Sequence, residues 1–472
     1  MKIFSQSQST PRIWLFFIGI LLKIIGSALS GVGFVLTITS FSFSGFFVWV
    51  AFLVVLFLVA CPPADIFLKN QMRWLKPAAI TIAVFFCIVG LALIGVVSTV
   101  GLRSFETEKS KDISHLMTSF ETMFGYNDAT ALAHQAANNL LDGKNPYAVS
   151  NIVTATIEFH GTSDKLTPLR EGSFANIFPY PTSDQLENLW QSAKKDPSRI
   201  PPEFESKFNY PAGAFLLPAP FVWMGVGDLR LIFLIFIIPA LVYVIIKVPS
   251  RYRLLFIVTL IASLELWNSL AAGETGLLYF PFLLLAWVLY RRNLWVSAIF
   301  MAIAVATKQT TWFFLPFYLV IIFRSMGWRK VLAVAGIIGG VFVAANAWFF
   351  VSDPALWVSS ILAPVTDKMF PMGVGIITLV SSGLVPIHSG VIFDILEVGA
   401  FVLAIVWYYF NCHRYPDTAP MLSVLPLFFA WRSLWGYFFY IDIIILASVL
   451  INEYGKQPAE RLGIAPALTA TG

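Results

Sequence analysis

Three charged residues lie in stretches of sequence where a charged side chain calls for a chemical explanation. Asp128 lies at the start of a short helical pattern inside the longest polar segment of the chain. Lys308 and Arg432 interrupt strongly apolar stretches, ATKQTTWFF and FFAWRSLWGYFFY. A carboxylate can accept a hydroxyl proton, and cations can hold a phosphate, Arg as a bidentate fork and Lys as a point charge. Together they predict a site where an activated hydroxyl attacks a group carried on a lipid phosphate.

Glycosyl transfer from a lipid phosphate needs this combination of groups. The base activates the acceptor hydroxyl as its oxygen attacks the anomeric carbon. The leaving phosphate develops negative charge, which fixed cations stabilise. Because a phosphate leaves without being protonated, the reaction requires no second carboxylic acid.

Each of these residues also has a structural explanation that involves no chemistry. Asp128 is of a type preferred as a helix N-cap, and Lys308 could snorkel from a helix end. Arg432 could form a clasp with Asp442 or another acid at the end of a span. Glu274, a further candidate for substrate contact, could cap the helix that follows it. The sequence leaves these alternatives open.

The segment around Asp128 predicts a small amphipathic helix beside a membrane. Its apolar residues recur at three- and four-residue spacing and therefore share one face, namely Ala129, Leu132, Ala133, Ala136 and Leu140. Gly143 provides a C-terminal stop, and Pro146 is expected to prevent the helix from resuming. This helix would present the Asp128 carboxylate from its N-terminus.

Composition identifies the class of protein that must position these residues. Of 472 residues, 58% are hydrophobic and only 12% are charged, whereas soluble domains carry roughly 25% charged residues. The chain is therefore predicted to be an all-α polytopic membrane protein. No polar segment combines a basic patch with interleaved aromatic residues, which excludes nucleic acid as a predicted partner.

Cysteine and histidine usage restricts the possible cofactors. Cys61, Cys87 and Cys412 all lie outside the polar segment 102–210, so that segment contains neither a disulfide nor a cysteine metal site. His115, His134 and His160 lack metal-ligand spacing. We predict no obligatory cofactor and leave a divalent cation open as an alternative.

Apolar runs predict about 12 transmembrane helices. The predicted spans are 13–37, 44–61, 77–101, 229–247, 254–270, 277–290, 294–306, 311–323, 331–351, 390–410, 420–431 and 436–451. The stretch 211–226 is apolar but interrupted by prolines, which indicates an interfacial or re-entrant piece. An outer-face helical domain is expected between the third and fourth spans.

The distribution of charge predicts the orientation. With the N-terminus inside, the short inner segments are basic throughout, as the positive-inside tendency requires. Both termini are then cytoplasmic and segment 102–210 lies outside, in a cell or inner membrane. The predicted parts are three N-terminal helices in 1–101, an extracytoplasmic loop domain in 102–228, a C-terminal bundle in 229–451 and a cytoplasmic tail in 452–472.

At this level of detail the sequence resembles a known family. Asp128, an alanine-rich helix and then Gly143, Asn145, Pro146 and Tyr147 resemble the first outer-loop pattern of GT-C class glycosyltransferases. The resemblance is to the bacterial and archaeal branch that uses polyprenyl-phosphate sugars, with mannosyl- and arabinosyltransferase-like members.

Three further short matches follow in the expected order. They are Tyr210–Pro211, which resembles a Y-P-P helix entry with Ala212 in place of the second proline, Gly273–Glu274 where the branch often has Gly-Gln, and Lys308–Gln309 with Pro316 downstream. The chain departs from the branch at Glu274 and in two additional spans before the segment that resembles the family's first helix.

The resemblance implies an inverting transferase with its site on the outer face. Asp128 would be the general base, and the donor would be a polyprenyl-phosphate monosaccharide. The acceptor would be a hydroxyl of a lipid, glycan or protein. We predict phosphate contacts for Lys308 and Arg432 and substrate contacts for Tyr126, Asn127, Tyr147, Tyr210, Glu274, Gln309 and Tyr437. The aromatic residues Trp431, Trp435, Tyr437 and Tyr440 indicate first an interfacial belt and second a sugar-stacking platform.

Two other classes of protein remain as alternatives. A transporter or lipid flippase often has two similar halves with broken helices. Here the outer segment divides the predicted spans unevenly, with three before it and about nine after it, and no repeat is visible. A noncatalytic scaffold subunit would tolerate Asp128→Asn.

Overall fold

The computed structural model describes residues 11–36, 38–107 and 125–452. Its helices in chain order are α1 Pro11–Val35, α2 Thr39–Ala60, α3 Ala64–Leu68, α4 Met72–Thr107, α5 Asp128–Leu141, α6 Pro146–Val149, α7 Ile152–Glu158, α8 Ser183–Ala193, α9 Gly213–Leu216, α10 Ala219–Trp223, α11 Leu229–Lys247, α12 Ser250–Ala262, α13 Leu264–Ala271, α14 Gly276–Leu289, α15 Leu294–Thr307, α16 Phe314–Met326, α17 Trp328–Ser352, α18 Pro354–Thr366, α19 Thr378–Ser381, α20 Val391–Asn411, α21 Ala419–Val424 and α22 Ile441–Asn452. Two short strands, β1 Met372–Gly373 and β2 Arg432–Ser433, pair in parallel.

Many of these helices are apolar enough for a membrane, as composition predicts. Within the described ranges, seven stretches have the length and apolar character of a membrane span: Pro11–Val35, Thr39–Ala60, Ala64–Ala92, Leu229–Lys247, Trp328–Ser352, Val391–Asn411 and Trp435–Asn452. The pair α12 and α13, bent by 48° at Ser263, would make an eighth. The protein is thus an all-α polytopic membrane protein, as predicted.

Several predicted spans are shorter than a bilayer is thick. Helices α14, α15 and α16 have 14, 14 and 13 residues, against about 20 for a simple crossing. Nearly every residue of α14 is buried by its neighbours, so this helix lies inside the bundle and need not match the lipid thickness. The count of twelve spans therefore stays a prediction.

One predicted span has a different structure. In place of a single helix over 420–431, the chain forms the six-residue α21, a 3₁₀ turn at Pro426–Phe428 and then β2. Pro426 lacks a backbone N–H and its ring clashes with the preceding turn of a helix, so a continuous helix ends there. The prediction of a continuous span over 420–431 is wrong for this reason.

The polar segment after residue 125 folds into short, individually capped helices. The predicted helix at Asp128 is confirmed as α5, and Gly143 ends it with a φ of 73°. Thr182 and Gln185 form a reciprocal capping box at α8. Pro146 begins the four-residue α6 and so does not prevent resumption, because the first position of a helix tolerates a missing N–H.

Backbone pairing joins this segment to the membrane bundle. Leu169 forms an antiparallel bridge with Met369, and the Arg170 N–H donates to the Lys368 carbonyl at 2.7 Å. The residues that follow α18 thus attach to the polar segment. Helix α18 itself lies between the predicted spans 331–351 and 390–410, where no helix was predicted.

Candidate active site

A cavity of about 780 Å³ lies where the polar segment meets the membrane helices. It brings together most of the predicted site residues, although they are far apart in the sequence. Those lining it are Asn127, Asp128, Tyr210, Glu274, Lys308, Gln309, Arg432 and Tyr437. The charged residues Asp128, Lys308 and Arg432 therefore share one cavity.

Asp128 is the first residue of α5, but it does not cap this helix. The cap is Asn127, whose side chain accepts a hydrogen bond from the Thr130 N–H at 2.9 Å. Asp128 Oδ1 accepts one from the Ala129 N–H at 2.7 Å. Because Asn127 satisfies the helix terminus, the capping explanation of Asp128 is wrong, and this carboxylate faces the cavity with capacity for another hydrogen bond.

Burial raises the pKa of Asp128 above its ordinary value, since the charged form loses hydration. Hydrogen bonds from Thr167 and the positive charge of Arg432 oppose this effect. A carboxylate with a raised pKa is a stronger proton acceptor than a free aspartate. The site therefore holds Asp128 in a state suited to a general base.

Lys308 follows α15 and is partly buried at the cavity. Its Nζ donates to the Thr275 hydroxyl at 2.6 Å and lies 4.6 Å from the centre of the Tyr210 ring. Its charge also acts on Glu274, whose pKa is raised by burial and lowered by Lys308. These contacts hold the ammonium group at the cavity, and it does not snorkel away from the bundle.

The turn that carries Glu274 is locked to the N-terminal end of α5. The Thr130 hydroxyl donates to the Gly273 carbonyl, and the Asn127 side chain forms a hydrogen bond with Glu274. Gly273 has a φ of 67°, a conformation that side chains with a Cβ rarely adopt. Glu274 therefore faces the cavity from a fixed turn close to Asp128.

Arg432 owes its position to the short strand pairing. In register, Met372 pairs with Arg432 and Gly373 with Ser433. A Cβ on Gly375 would lie 1.9 Å from the Phe428 carbonyl oxygen, so only glycine permits this approach of the two segments. The pairing fixes the backbone of Arg432 at the cavity wall.

The guanidinium of Arg432 forms no ion pair with any described residue. The proposed clasp with Asp442 is not formed, because Asp442 Oδ2 lies 2.6 Å from Lys23 Nζ. Burial raises the pKa of Asp128, Tyr180 and Tyr210, and the charge of Arg432 partly opposes this rise in all three. Arg432 thus places a positive charge at the cavity without an ion pair to any carboxylate in the described part of the chain.

Two predicted substrate contacts belong to the protein framework. Neither Tyr126 nor Tyr147 is among the described residues that line the cavity. The Tyr126 hydroxyl donates to Asp228 Oδ1 at 2.9 Å, and the Tyr147 hydroxyl donates to the Tyr210 carbonyl at 2.8 Å. Both side chains are nearly completely buried, so the structure places them in the framework and not at the cavity wall.

Gln309 and the aromatic residues have mixed roles. Gln309 Nε2 donates to the carbonyls of Asn209 and Ile361, so its amide mainly fixes backbone at the cavity. Trp431, Trp435 and Tyr437 line the cavity. Tyr440 is buried and shares a hydrogen bond with the Tyr279 hydroxyl at 2.8 Å. The aromatic group is divided between the cavity wall and the core.

Sequence reasoning missed Thr167, Tyr180, Glu205 and Asp367, all of which line the cavity. Thr167 forms hydrogen bonds with Asp128. Burial raises the pKa of Tyr180 to about 12. These residues lie singly in loops or at a helix end, without periodicity or a motif, so no sequence signal distinguished them.

No described histidine lines this cavity. His134 stacks on Phe159 with the ring centres 4.2 Å apart, and burial lowers its pKa to about 3. In the part of the chain that the structure describes, no group of three or more His, Cys, Asp or Glu side chains could hold a metal ion. The divalent-cation alternative therefore has no ligand set among these residues. His115 lies outside the described residues.

The fold, the cavity and a family match together define the class of this protein: a membrane glycosyltransferase of the GT-C type, and hence a transferase enzyme. The matching model is that of glycosyltransferase family 87, over residues 208–431. A search of curated proteins finds no match. A search of solved structures finds none either.

The family match covers some of the candidate site residues and not others. It includes Tyr210, Glu274 and Lys308, begins well after Asp128 and ends one residue before Arg432. The match therefore contributes nothing to the roles of Asp128 and Arg432, which depend on geometry. The mannosyl- and arabinosyltransferase-like branch stays a prediction.

Proposed function

We propose that the protein is an inverting glycosyltransferase that moves a monosaccharide from a polyprenyl-phosphate donor to a hydroxyl of a lipid, glycan or protein acceptor. One observation carries this proposal: Asp128, Lys308 and Arg432 line the same cavity. The carboxylate supplies a proton acceptor for the attacking hydroxyl, and the two cations supply a binding site for the leaving phosphate.

In this reaction the acceptor oxygen forms a bond to the anomeric carbon while the bond from that carbon to the phosphate oxygen breaks. Asp128 takes the proton of the acceptor hydroxyl. The electron pair of the broken bond stays with the polyprenyl phosphate, where Arg432 and Lys308 stabilise the additional negative charge. Attack opposite the leaving group inverts the anomeric configuration.

The apolar part of the cavity wall supports a lipid-borne donor. This part includes Trp312, Phe313, Ile361, Leu362, Val365 and Phe401. Leu362 and Val365 on α18 are exposed, Val365 to 79%, so the cavity edge meets the outer surface of the bundle. A polyprenyl chain can lie along this edge while its phosphate reaches the two cations.

The ends of two helices support an extracytoplasmic site. Helix α16 follows Phe313, which lines the cavity, and carries Arg324 in its last turn. Helix α20 has Asp394 at the cavity and ends before Arg414. Its 21 residues span about 32 Å, close to the bilayer core. Basic helix ends face the cytoplasm by the positive-inside tendency, so the cavity faces away from it.

This orientation keeps the predicted topology of about twelve crossings in a cell or inner membrane, with both termini cytoplasmic. The loop domain 102–228 lies outside, between the three helices of 1–101 and the bundle of 229–451, and the tail 452–472 is cytoplasmic. The transporter or flippase alternative has no support from the fold or from the family match.

A transfer assay tests the proposal directly. The full chain in lipid nanodiscs is given labelled polyprenyl-phosphate sugars or the corresponding nucleotide sugars, and the anomeric configuration of the product is determined. We expect transfer from the lipid donor alone, with inversion. A retained configuration, or transfer from nucleotide sugars alone, would contradict the proposal.

Cysteine labelling in a variant without Cys61, Cys87 and Cys412 tests the orientation. We expect an impermeant reagent to modify Asp142→Cys from outside intact cells and Arg292→Cys only after the membrane is opened. The reverse pattern would contradict an outer site.

A further inference from the structure

Two carboxyl groups from separate parts of the fold meet at the cavity wall. Glu205 belongs to the polar segment, and Asp367 directly follows α18. Both line the cavity. Asp367 Oδ1 binds Lys207 Nζ at 3.0 Å. Neither residue takes part in the base or phosphate chemistry described above, so this pair lacks an assigned role.

Glu205 is buried at a wall of the cavity without a complete set of partners. The residue is 5% exposed. Oε1 accepts a hydrogen bond from the Lys207 N–H at 3.0 Å, whereas the buried Oε2 has no hydrogen-bond partner among the described residues. An unsatisfied buried carboxyl oxygen costs stability unless a ligand or water completes it.

The protonation state of the Glu205 and Asp367 carboxyl groups suits them to bind hydroxyl groups. Burial, and then a side-chain hydrogen bond to Asp367 and the negative charge of that residue, raise the pKa of Glu205 to about 8. Near neutral pH the two carboxyl groups therefore share one proton, and their remaining lone pairs can accept hydrogen bonds from a ligand. Adjacent sugar hydroxyls can both donate to such acceptors, so a diol matches this pair.

The carboxyl pair adjoins the proposed base through Thr167. Thr167 forms hydrogen bonds with Asp128, and its carbonyl accepts from the Glu205 N–H at 3.0 Å. The charges of Asp367 and Lys207 act on Glu205, and that of Arg432 acts on Asp128. A hydroxyl compound bound at the carboxyl pair therefore lies beside the proton acceptor.

We infer that Glu205 and Asp367 form an acceptor subsite that binds neighbouring hydroxyls of a sugar or polyol. This inference rests on the proposed function, in which the acceptor approaches from the side of Asp128 opposite the phosphate. It narrows the acceptor to a glycan, a glycolipid or another polyhydroxy compound. Glu205 and Asp367 hold the acceptor, and Asp128 removes the proton from the attacking hydroxyl.

Ligand-observed NMR of the full chain in nanodiscs tests this subsite without requiring turnover. The probes are methyl glycosides of glucose, galactose, mannose and arabinose, together with myo-inositol. We expect at least one probe to bind, and Glu205→Ala and Asp367→Asn each to weaken that binding about tenfold, the loss expected when a hydrogen bond at a buried carboxyl group is removed. Glu397→Gln is the matched control, because Glu397 lines the cavity on α20, and it should leave probe binding unchanged.

Several outcomes would overturn the inference. They are the absence of binding by every probe, unchanged binding in folded Glu205→Ala and Asp367→Asn proteins, and weakened binding of a polyprenyl-phosphate sugar with the free glycosides unaffected. Thermal unfolding of each variant checks that it folds. Probe binding should persist in Asp128→Asn even though this variant loses transfer activity. The binding measurement therefore tests the acceptor subsite separately from the proposed function.

Discussion

Lys23 Nζ lies 2.6 Å from Asp442 Oδ2 and 3.7 Å from Glu265 Oε2, and all three side chains are buried. The same ammonium group donates to the Phe439 carbonyl at 3.1 Å. Glu265 belongs to α13, which leads to the turn of Glu274, and Asp442 lies in the first turn of α22, the helix that follows the Arg432 segment. Lys23 on α1 therefore connects the chain segments behind both sides of the cavity.

Removing Lys23 should strongly destabilise the protein. Lys23→Met leaves the Asp442 carboxylate buried without its partner, and breaking a buried pair in this way costs about 3–5 kcal/mol. Unfolding in detergent measures the loss. The control is Lys144→Met, because the Lys144–Asp142 pair is exposed and should contribute almost nothing. Adding Asp442→Leu to Lys23→Met should restore much of the stability, and failure to do so would count against this explanation.

Asp128→Asn should reduce kcat by about 10²-fold or more, because the amide cannot accept the acceptor proton. The wild-type rate should rise with pH as Asp128 loses its proton, with a midpoint above the ordinary aspartate value, since burial raises this pKa. The variant should lack this acid limb. Asp142→Asn, at the other end of α5, is the control. Activity of Asp128→Asn within a few-fold of wild type would remove the base assignment and favour a scaffold.

Lys308→Ala and Arg432→Ala should raise the donor KM, because each removes a positive charge from the phosphate site. The expected change is about tenfold or more for each. Arg432→Lys should recover only part of the loss, since a lysine cannot form a bidentate pair. Donor titration at fixed acceptor measures the effect, with the exposed Lys194→Ala as control. An unchanged donor KM would argue against phosphate binding.

Gly375→Ala should lower activity by displacing Arg432. The added Cβ would lie 1.9 Å from the Phe428 carbonyl oxygen, so the pairing of β1 and β2 cannot form as it stands. We expect a loss similar to that of Arg432→Ala in the same donor titration. Gly339→Ala on α17 is the matched control, because nothing lies within 4 Å of its added Cβ. Equal activity of both variants would show that the strand pairing does not position Arg432.

Glu205 should make stability depend on pH. Its pKa is raised to about 8 from an ordinary 4.5, so the folded state holds a proton that the unfolded chain releases. The resulting stability is complete below the ordinary value and is lost as pH rises from about 4.5 to 8. Glu205→Gln should flatten this part of the profile of melting temperature against pH. An unchanged profile would contradict the raised pKa.

The sequence by itself determined the class of fold and the candidate chemistry. Apolar content required membrane helices, and the spacing of Ala129 to Leu140 gave α5, because these signals are local. The sequence neighbours of Asp128, Lys308 and Arg432 made these residues candidates. A buried charge among apolar residues needs a partner.

Only the tertiary structure decided which of these residues meet. Asn127 caps α5 and leaves the Asp128 carboxylate at the cavity. The hydroxyl groups of Tyr126 and Tyr147 instead form hydrogen bonds within the protein framework. Arg432 reaches the cavity because its strand β2 pairs with β1, where its register partner Met372 lies 60 residues earlier in the chain. Glu205 and Asp367 become neighbours through a backbone connection between the polar segment and the residues after α18. Contacts of this kind depend on long-range packing, which leaves no periodicity in the sequence for a reader to detect.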